Sequence, residues 1–122
     1  MSYKAIVLDL DGTLTNSKKE ITPKTYEALM KAQRQGIRVI LASGRPTYGI
    51  RPIADELEIG SYGGYVMAYN GGCITEWNSK QIVFNQILDE ALVPELYRAA
   101  KEGERNFEIL TYQGEGIAAT NI

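Results

Sequence analysis

The sequence predicts an α/β fold: a partial parallel sheet with crossover helices, followed by the beginning of a separate α+β segment. Three observations carry this. Residues 5–10 (AIVLDL) and 37–42 (IRVILA) are short apolar runs rich in β-formers. The segment between them has helical periodicity and helix-end signals, so strand, helix and strand follow at βαβ spacing. After about Asn85 the pattern changes to one helix and then two strand candidates. With 122 residues, 44% of them hydrophobic and 23% charged, the chain suits one modest globular domain plus part of another.

The first run is nearly continuous in apolar character and reads as a strand buried on both faces. Asp11-Gly12-Thr13 ends it with a turn signal. Thr22 and Pro23 form an N-cap followed by proline in the first helical position. Tyr26, Leu29, Met30 and Ala32 continue at helical spacing, and Gly36 supplies the exit. Residues 37–42 are the second strand, expected parallel to the first with a right-handed crossover. Residues 45–59 read as a second helix after a Ser-Gly-Arg-Pro turn, with Pro52 predicting a kink or a late start.

Glycines from 60 to 64 lead into a third strand over 65–69 (YVMAY). Asn70-Gly71-Gly72 is a turn into a short strand at 73–75, and another strand is expected at 81–84. Residues 89–102 are helical in composition, with Leu92, Leu96 and Ala99 on one face and Pro94 tolerable only in the first turn. Residues 107–112 and 116–120 read as a hairpin. A domain boundary falls near 80–86, dividing the chain into residues 1–82 and 83–122.

Several function classes are disfavoured. The formal charge is −2 with no basic run, which favours neither nucleic acid nor a lipid surface. Lys18-Lys19 is followed at once by Glu20 and reads as a solvated loop. Histidine is absent, so Ser-His and Cys-His nucleophile pairs are excluded. Cys73 is the single cysteine and fits a small buried residue in a reducing compartment. No stretch has the length of a membrane span or the apolar region of a signal peptide. The expectation is a soluble cytoplasmic protein whose chemistry comes from carboxylates, hydroxyls, Lys/Arg and backbone amides.

The segment Asp9-Leu10-Asp11-Gly12-Thr13 carries that chemistry. Carboxylates at i and i+2 of an extended chain lie on one side, ~6–7 Å apart. Like charges that close call for a proton or a cation between them, and a hard divalent ion such as Mg²⁺ answers. Gly12 allows a positive φ that turns backbone N–H groups toward an anion, and Thr13 adds a hydroxyl. Strand ends in open α/β sheets are where ligands bind. The bland alternative, a plain turn, is far less specific than this five-residue pattern.

Asp-x-Asp-Gly-Thr-Leu after an apolar strand resembles motif I of the haloacid dehalogenase (HAD) superfamily of phosphohydrolases. Ser43-Gly44-Arg45 looks like its motif II, and Asn70-Gly71-Gly72 is similar to a turn of the Cof-type branch, whose members carry a large α+β cap of class IIB. The resemblance implies a Rossmann-like core with a partial parallel sheet, then the start of that cap. It implies a Mg²⁺-dependent phosphatase of small, sugar-phosphate-like metabolites. In such an enzyme Asp9 attacks phosphorus to form an aspartyl phosphate, and Asp11 acts as general acid and base. The metal ligands implied are Asp9, through its carboxylate, and Asp11, through its backbone carbonyl. Gly12, Thr13, Ser43, Gly44, Arg45 and Asn70 form the implied phosphate and substrate contacts. Arg45 equally fits a loop brace or a helix-start residue, Asn70 a turn former, and Ser43-Gly44 a simple turn.

The family also uses a motif III lysine and a motif IV acidic cluster, and neither occurs in these 122 residues; Lys101 and Glu102 match neither. The isolated polypeptide is therefore expected to be an inactive amino-terminal fragment. Its first strand is expected to be an exposed sheet edge prone to self-association. Alternatives are a phosphomutase of the same superfamily and a non-catalytic binding or interaction module. A receiver-type phospho-acceptor switch is disfavoured by the immediate Asp-Gly-Thr and the cap-like tail. Gly114 to Ala119 matches a dinucleotide fingerprint in letters only, with no room for the helix that must follow.

Overall fold

The computed structural model describes residues 2–103, 108–113 and 116–121. The chain divides into two compact units, Met1–Gln86 and Ile87–Ile122.

In the first unit, strand β1 (Ala5–Asp9) pairs in parallel with β2 (Arg38–Ala42), setting Ile6 beside Val39 and Leu8 beside Leu41. Helix α1 (Pro23–Arg34) connects them. Thr22 caps it, its Oγ1 accepting the Thr25 N–H at 3.4 Å, and Pro23 sits where a missing N–H costs no helical hydrogen bond. The chain leaves through Gly36 at φ 90°, a left-handed conformation that suits glycine.

Helix α2 (Thr47–Glu56) follows β2 and leads to β3 (Tyr65–Ala68), which pairs in parallel with β2. The late start expected at Pro52 is not found, because α2 begins at Thr47 and runs through the proline. The missing hydrogen bond is offset by burial of Ile50, Ile53 and Ala54 around it, at ~1.5–3 kcal/mol for a fully buried large aliphatic side chain. The helix also stops earlier than expected. Glu58 turns left-handed at φ 52°, and Ile59–Tyr62 form a 3₁₀ turn.

β4 (Cys73–Glu76) and β5 (Ile82–Asn85) add antiparallel, completing a sheet ordered β1-β2-β3-β4-β5. Leu29 of α1 and Ile50, Ile53 and Ala54 of α2 share one core with Val39, Leu41, Val66 and Ala68. Leu41, Val39, Val66 and Ile50 are fully buried there. Alternating strand residues face the other way, and Ile40 and Met67 are half-buried.

One expectation is corrected here. β1 is not buried on both faces: Ile6 and Leu8 pack against the core, while Val7 is 59% exposed. The alternation follows from the pleat, because α1 and α2 both contribute to the core on the Ile6 and Leu8 side. The apolar run was long enough to mask that period.

In the second unit, a 3₁₀ turn at Glu90–Leu92 leads into α3 (Val93–Glu102), with Pro94 in the first turn. Asp89 Oδ1 accepts the Ala91 N–H at 3.0 Å. β6 (Glu108–Gln113) and β7 (Gly116–Asn121) form an antiparallel pair. Phe107, the first residue of the expected hairpin, lies outside the described residues. Among the described residues no helix is long and apolar enough to cross a membrane.

Candidate active site

The strand register builds the site. Asp9 lies beside Ala42, and Ala42 beside Met67, so β1, β2 and β3 end together and their exit loops leave one edge of the sheet. Those loops carry Asp11, Ser43 to Arg45, and Asn70. Parallel strands with common carboxyl ends produce the crevice in which open α/β sheets hold ligands.

The first loop is pinned from below. Leu10 is fully buried and Leu14 is 5% exposed. The Leu10 carbonyl accepts the N–H of Thr13 at 3.1 Å, the N–H of Thr15 at 3.0 Å and the Thr15 hydroxyl at 3.1 Å. Leu14 N–H donates to the Asp9 carbonyl at 3.1 Å. Gly12 takes φ 78° at the tightest point. Apolar residues at 10 and 14 thus anchor the loop inward, while Asp9, Asp11, Gly12 and Thr13 stay exposed. Thr13 Oγ1 donates to Asp9 Oδ2 across a long 3.5 Å.

The second and third loops are laced together. Ser43 is 8% exposed; its N–H donates to the Met67 carbonyl at 3.0 Å, and its carbonyl accepts the Asn70 N–H at 3.1 Å. Its Oγ accepts the Arg45 N–H at 3.0 Å, which leaves the hydroxyl proton to be donated elsewhere. The Arg45 carbonyl accepts the Tyr69 N–H at 3.0 Å. Gly44 is the contact point: a Cβ there would stand 2.9 Å from Asn70 Oδ1. Tyr69, Asn70 and Gly71 all have positive φ, at 53°, 55° and 93°. The Asn70 turn is therefore a left-handed bend between Ala68 and Cys73, wider than the two-residue hairpin turn that Asn-Gly suggests.

Asp11 joins the first loop to the second. Arg45 Nε donates to Oδ2 at 3.0 Å and Nη2 to Oδ1 at 2.5 Å, while Nη1 donates to the Gly49 carbonyl at 3.1 Å. Lys19 Nζ adds a third contact, at 2.6 Å to Oδ1. The hydrogen bonds from Arg45, and then from Lys19, hold the Asp11 carboxyl well below the usual carboxylate range. The same contact raises the Arg45 guanidinium above its ordinary value. As placed, Asp11 is an anion held by two cations, and carrying a proton in either direction requires it first to loosen its hold on them.

Lys19 lies in the solvated loop that the sequence indicates, its side chain 65% exposed, and it also reaches Asp11, a contact the sequence does not indicate. Asn16 folds the loop back: its Oδ1 accepts the N–H groups of Lys18 at 2.9 Å and Glu20 at 3.1 Å, and its N–H donates to the Glu20 carbonyl at 2.9 Å. Lys19 takes φ 63° in that turn. An asparagine four residues before the glutamate was the available signal, since its side chain favours such turns.

Arg45 and Lys19 supply the counter-charge to Asp11 that the sequence assigned to a shared metal ion. The donor set still fits a hard divalent cation in kind, because Asp9 offers an exposed carboxylate and Thr13 a hydroxyl. It falls short in number: among the described residues no three His, Cys, Asp or Glu side chains converge. As donors these residues would be part of a metal shell and not the whole of one.

Comparison with known proteins bears on the same segments. The family model described as haloacid dehalogenase-like hydrolase matches residues 6–122. The solved structure of a haloacid dehalogenase-like hydrolase from Bacteroides thetaiotaomicron is 51% identical, with a TM-score of 0.85 over 97% of this chain and 44% of that one. Phosphatase YwpJ of Bacillus subtilis is 39% identical over 71 residues, 58% of this chain and 24% of its own length. The 5-amino-6-(5-phospho-D-ribitylamino)uracil phosphatase YwtE of the same species is 32% identical over 87 residues, covering 71% of this chain and 28% of its own. The chain spans about a third of the length of the curated relatives it matches first.

Proposed function

We propose, since the chain belongs to the haloacid dehalogenase-like hydrolase family, that the protein carrying it is a Mg²⁺-dependent phosphatase of small phosphorylated metabolites, acting in the cytoplasm. The observation that carries this is the exposed Asp9 carboxylate at the end of β1, level with the Ser43 and Asn70 loops. YwtE, whose name specifies a phosphorylated ribityl compound, supports a small phosphate ester as the substrate class. In this scheme the first unit is the partial core, and the unit from Ile87 begins the cap.

The steps follow from the residues. An Asp9 carboxylate oxygen attacks phosphorus; the new P–O bond to Asp9 forms as the bond to the leaving oxygen breaks. Asp11, once it has loosened its ion pairs and taken a proton from solvent, gives that proton to the leaving oxygen; it then takes one from the water whose oxygen attacks phosphorus and breaks the bond to Asp9. Ser43 donates its hydroxyl to a phosphoryl oxygen. Asp9 would hold the Mg²⁺, which supplies positive charge against the phosphoryl group when bound.

These 122 residues contain no lysine motif and no Gly-Asp-x-x-x-Asp cluster. Each preorganised charge-stabilising group is typically worth ~3–4 kcal/mol to such a step. A polypeptide of these residues alone should therefore turn over negligible substrate. The test uses the native full-length protein with Mg²⁺ and a panel of small phosphate monoesters. Asp9→Asn should lower kcat by at least ~10³-fold while leaving the fold intact. Retention of activity in that variant would refute the proposal.

A further inference from the structure

Arg45 stands where a phosphate-binding arginine is expected, yet three of its five N–H donors, including the paired edge that matches an oxyanion, are already committed. Nε and Nη2 form a fork on the Asp11 carboxylate, and Nη1 is tied to the Gly49 carbonyl at the start of α2. Its main chain is equally engaged, with the N–H on Ser43 Oγ and the carbonyl accepting the Tyr69 N–H. The side chain is 28% exposed, against 65% for Lys19. A guanidinium fixed at one end by a helix and at the other by a carboxylate sets where that carboxylate sits. A phosphate ligand could take that paired edge only by displacing Asp11.

We propose that Arg45 is the positioning residue of Asp11: it fixes the carboxylate that moves protons, across the exits of β1 and β2, and does not bind the phosphoryl group. This rests on the phosphatase assignment above and deepens it. A residue that acts through Asp11 changes the chemical step and not substrate binding. Its loss must also be invisible once Asp11 is gone. Loss of a phosphate-binding arginine would raise KM and weaken inhibition by inorganic phosphate, whatever residue stands at position 11.

The experiment is a kinetic double-mutant cycle on the native full-length protein with Mg²⁺, measuring kcat, KM and the inhibition constant for inorganic phosphate. Arg45→Ala should lower kcat by ~10²-fold, in the range of a misplaced acid–base group, with KM and the phosphate constant changed by less than ~3-fold. In an Asp11→Ala background the same change should cost less than ~2-fold. Added guanidinium should restore at least ~10-fold of kcat to Arg45→Ala, and Arg45→Lys should stay low because it lacks the fork. A rise of more than ~10-fold in KM and in the phosphate constant would overturn the proposal, as would effects that multiply across the cycle. Asp9→Asn separates the two levels. If it stays active the phosphatase assignment fails; if it is dead while Arg45→Ala is unaffected, only the positioning role fails.

Discussion

Arg45 forms a bidentate ion pair with Asp11, Nε to Oδ2 at 3.0 Å and Nη2 to Oδ1 at 2.5 Å, joining residues 34 apart in sequence. The pair links the loop after β1 to the loop after β2. The second loop is in turn bonded to the third through Ser43 and Asn70. The edge where three parallel strands end is thus one connected polar structure, and disturbing one loop should be felt in the others.

The first prediction concerns acid. The folded-state pKa of Asp11 lies below the ordinary 3.8, so its ionised form is favoured by folding. That contribution is complete above 3.8, declines as pH falls below it, and vanishes beneath the depressed value. The stability difference between the native sequence and Asp11→Asn should be flat from pH 5 to pH 7 and shrink below ~pH 4. With Asp11 41% exposed, solvent screens the pair and the difference should be small. Urea midpoints followed through the fluorescence of Trp77 measure it. A difference that grows toward low pH would sink the idea.

The second concerns two glycines with different neighbours. A Cβ on Gly44 would meet Asn70 Oδ1 at 2.9 Å, the end of a side chain that can shift. A Cβ on Gly64 would meet the Val39 carbonyl oxygen at 2.4 Å and Ile59 Cβ at 2.8 Å, both fixed in the core. Gly44→Ala should cost ~1–3 kcal/mol, and Gly64→Ala at least ~3 kcal/mol. Equal costs in urea unfolding would show that neighbour rigidity does not decide the outcome.

What could be read from the sequence was what local rules determine. The ends of α1 follow from Thr22, Pro23 and Gly36, and β1 and β2 from their apolar runs. The Asp9-Leu10-Asp11-Gly12-Thr13 segment marks the end of β1 without knowledge of any partner. What could not be read depends on tertiary neighbours. The partner of Asp11 lies 34 residues away, and burial of β1 depends on which side the helices take. Pro52 is carried inside α2 because the buried residues around it outweigh a local preference. Lys19 is a solvated loop residue as read, but its ion pair with Asp11 depends on how the Asn16 turn folds back.

The third prediction is of a buried donor. The Trp77 indole N–H donates to Asp55 Oδ1 at 2.9 Å, with Trp77 only 3% exposed. Asp55→Ala leaves that N–H without its acceptor and should cost ~1 kcal/mol or more, whereas Asp55→Asn keeps an oxygen in place and should cost only ~0.5 kcal/mol. Because Trp77 is the single tryptophan, unfolding of the first unit reports on itself. Identical losses in both variants would show that charge matters here rather than the hydrogen bond.

The fourth prediction concerns β1 in a polypeptide of these 122 residues. Among the described residues β1 pairs with β2 alone, and Val7 is 59% exposed on the face away from the core. An open strand edge beside exposed apolar surface pairs readily with another chain. Sedimentation should therefore show concentration-dependent self-association. Val7→Lys places a charge on that strand and should shift the population toward monomer. As Val7 is mostly outside the core, the unfolding midpoint should move by no more than ~0.5 kcal/mol in free energy. A native-sequence polypeptide that sediments as one monomeric species at all concentrations would show that twist or loops already protect the edge.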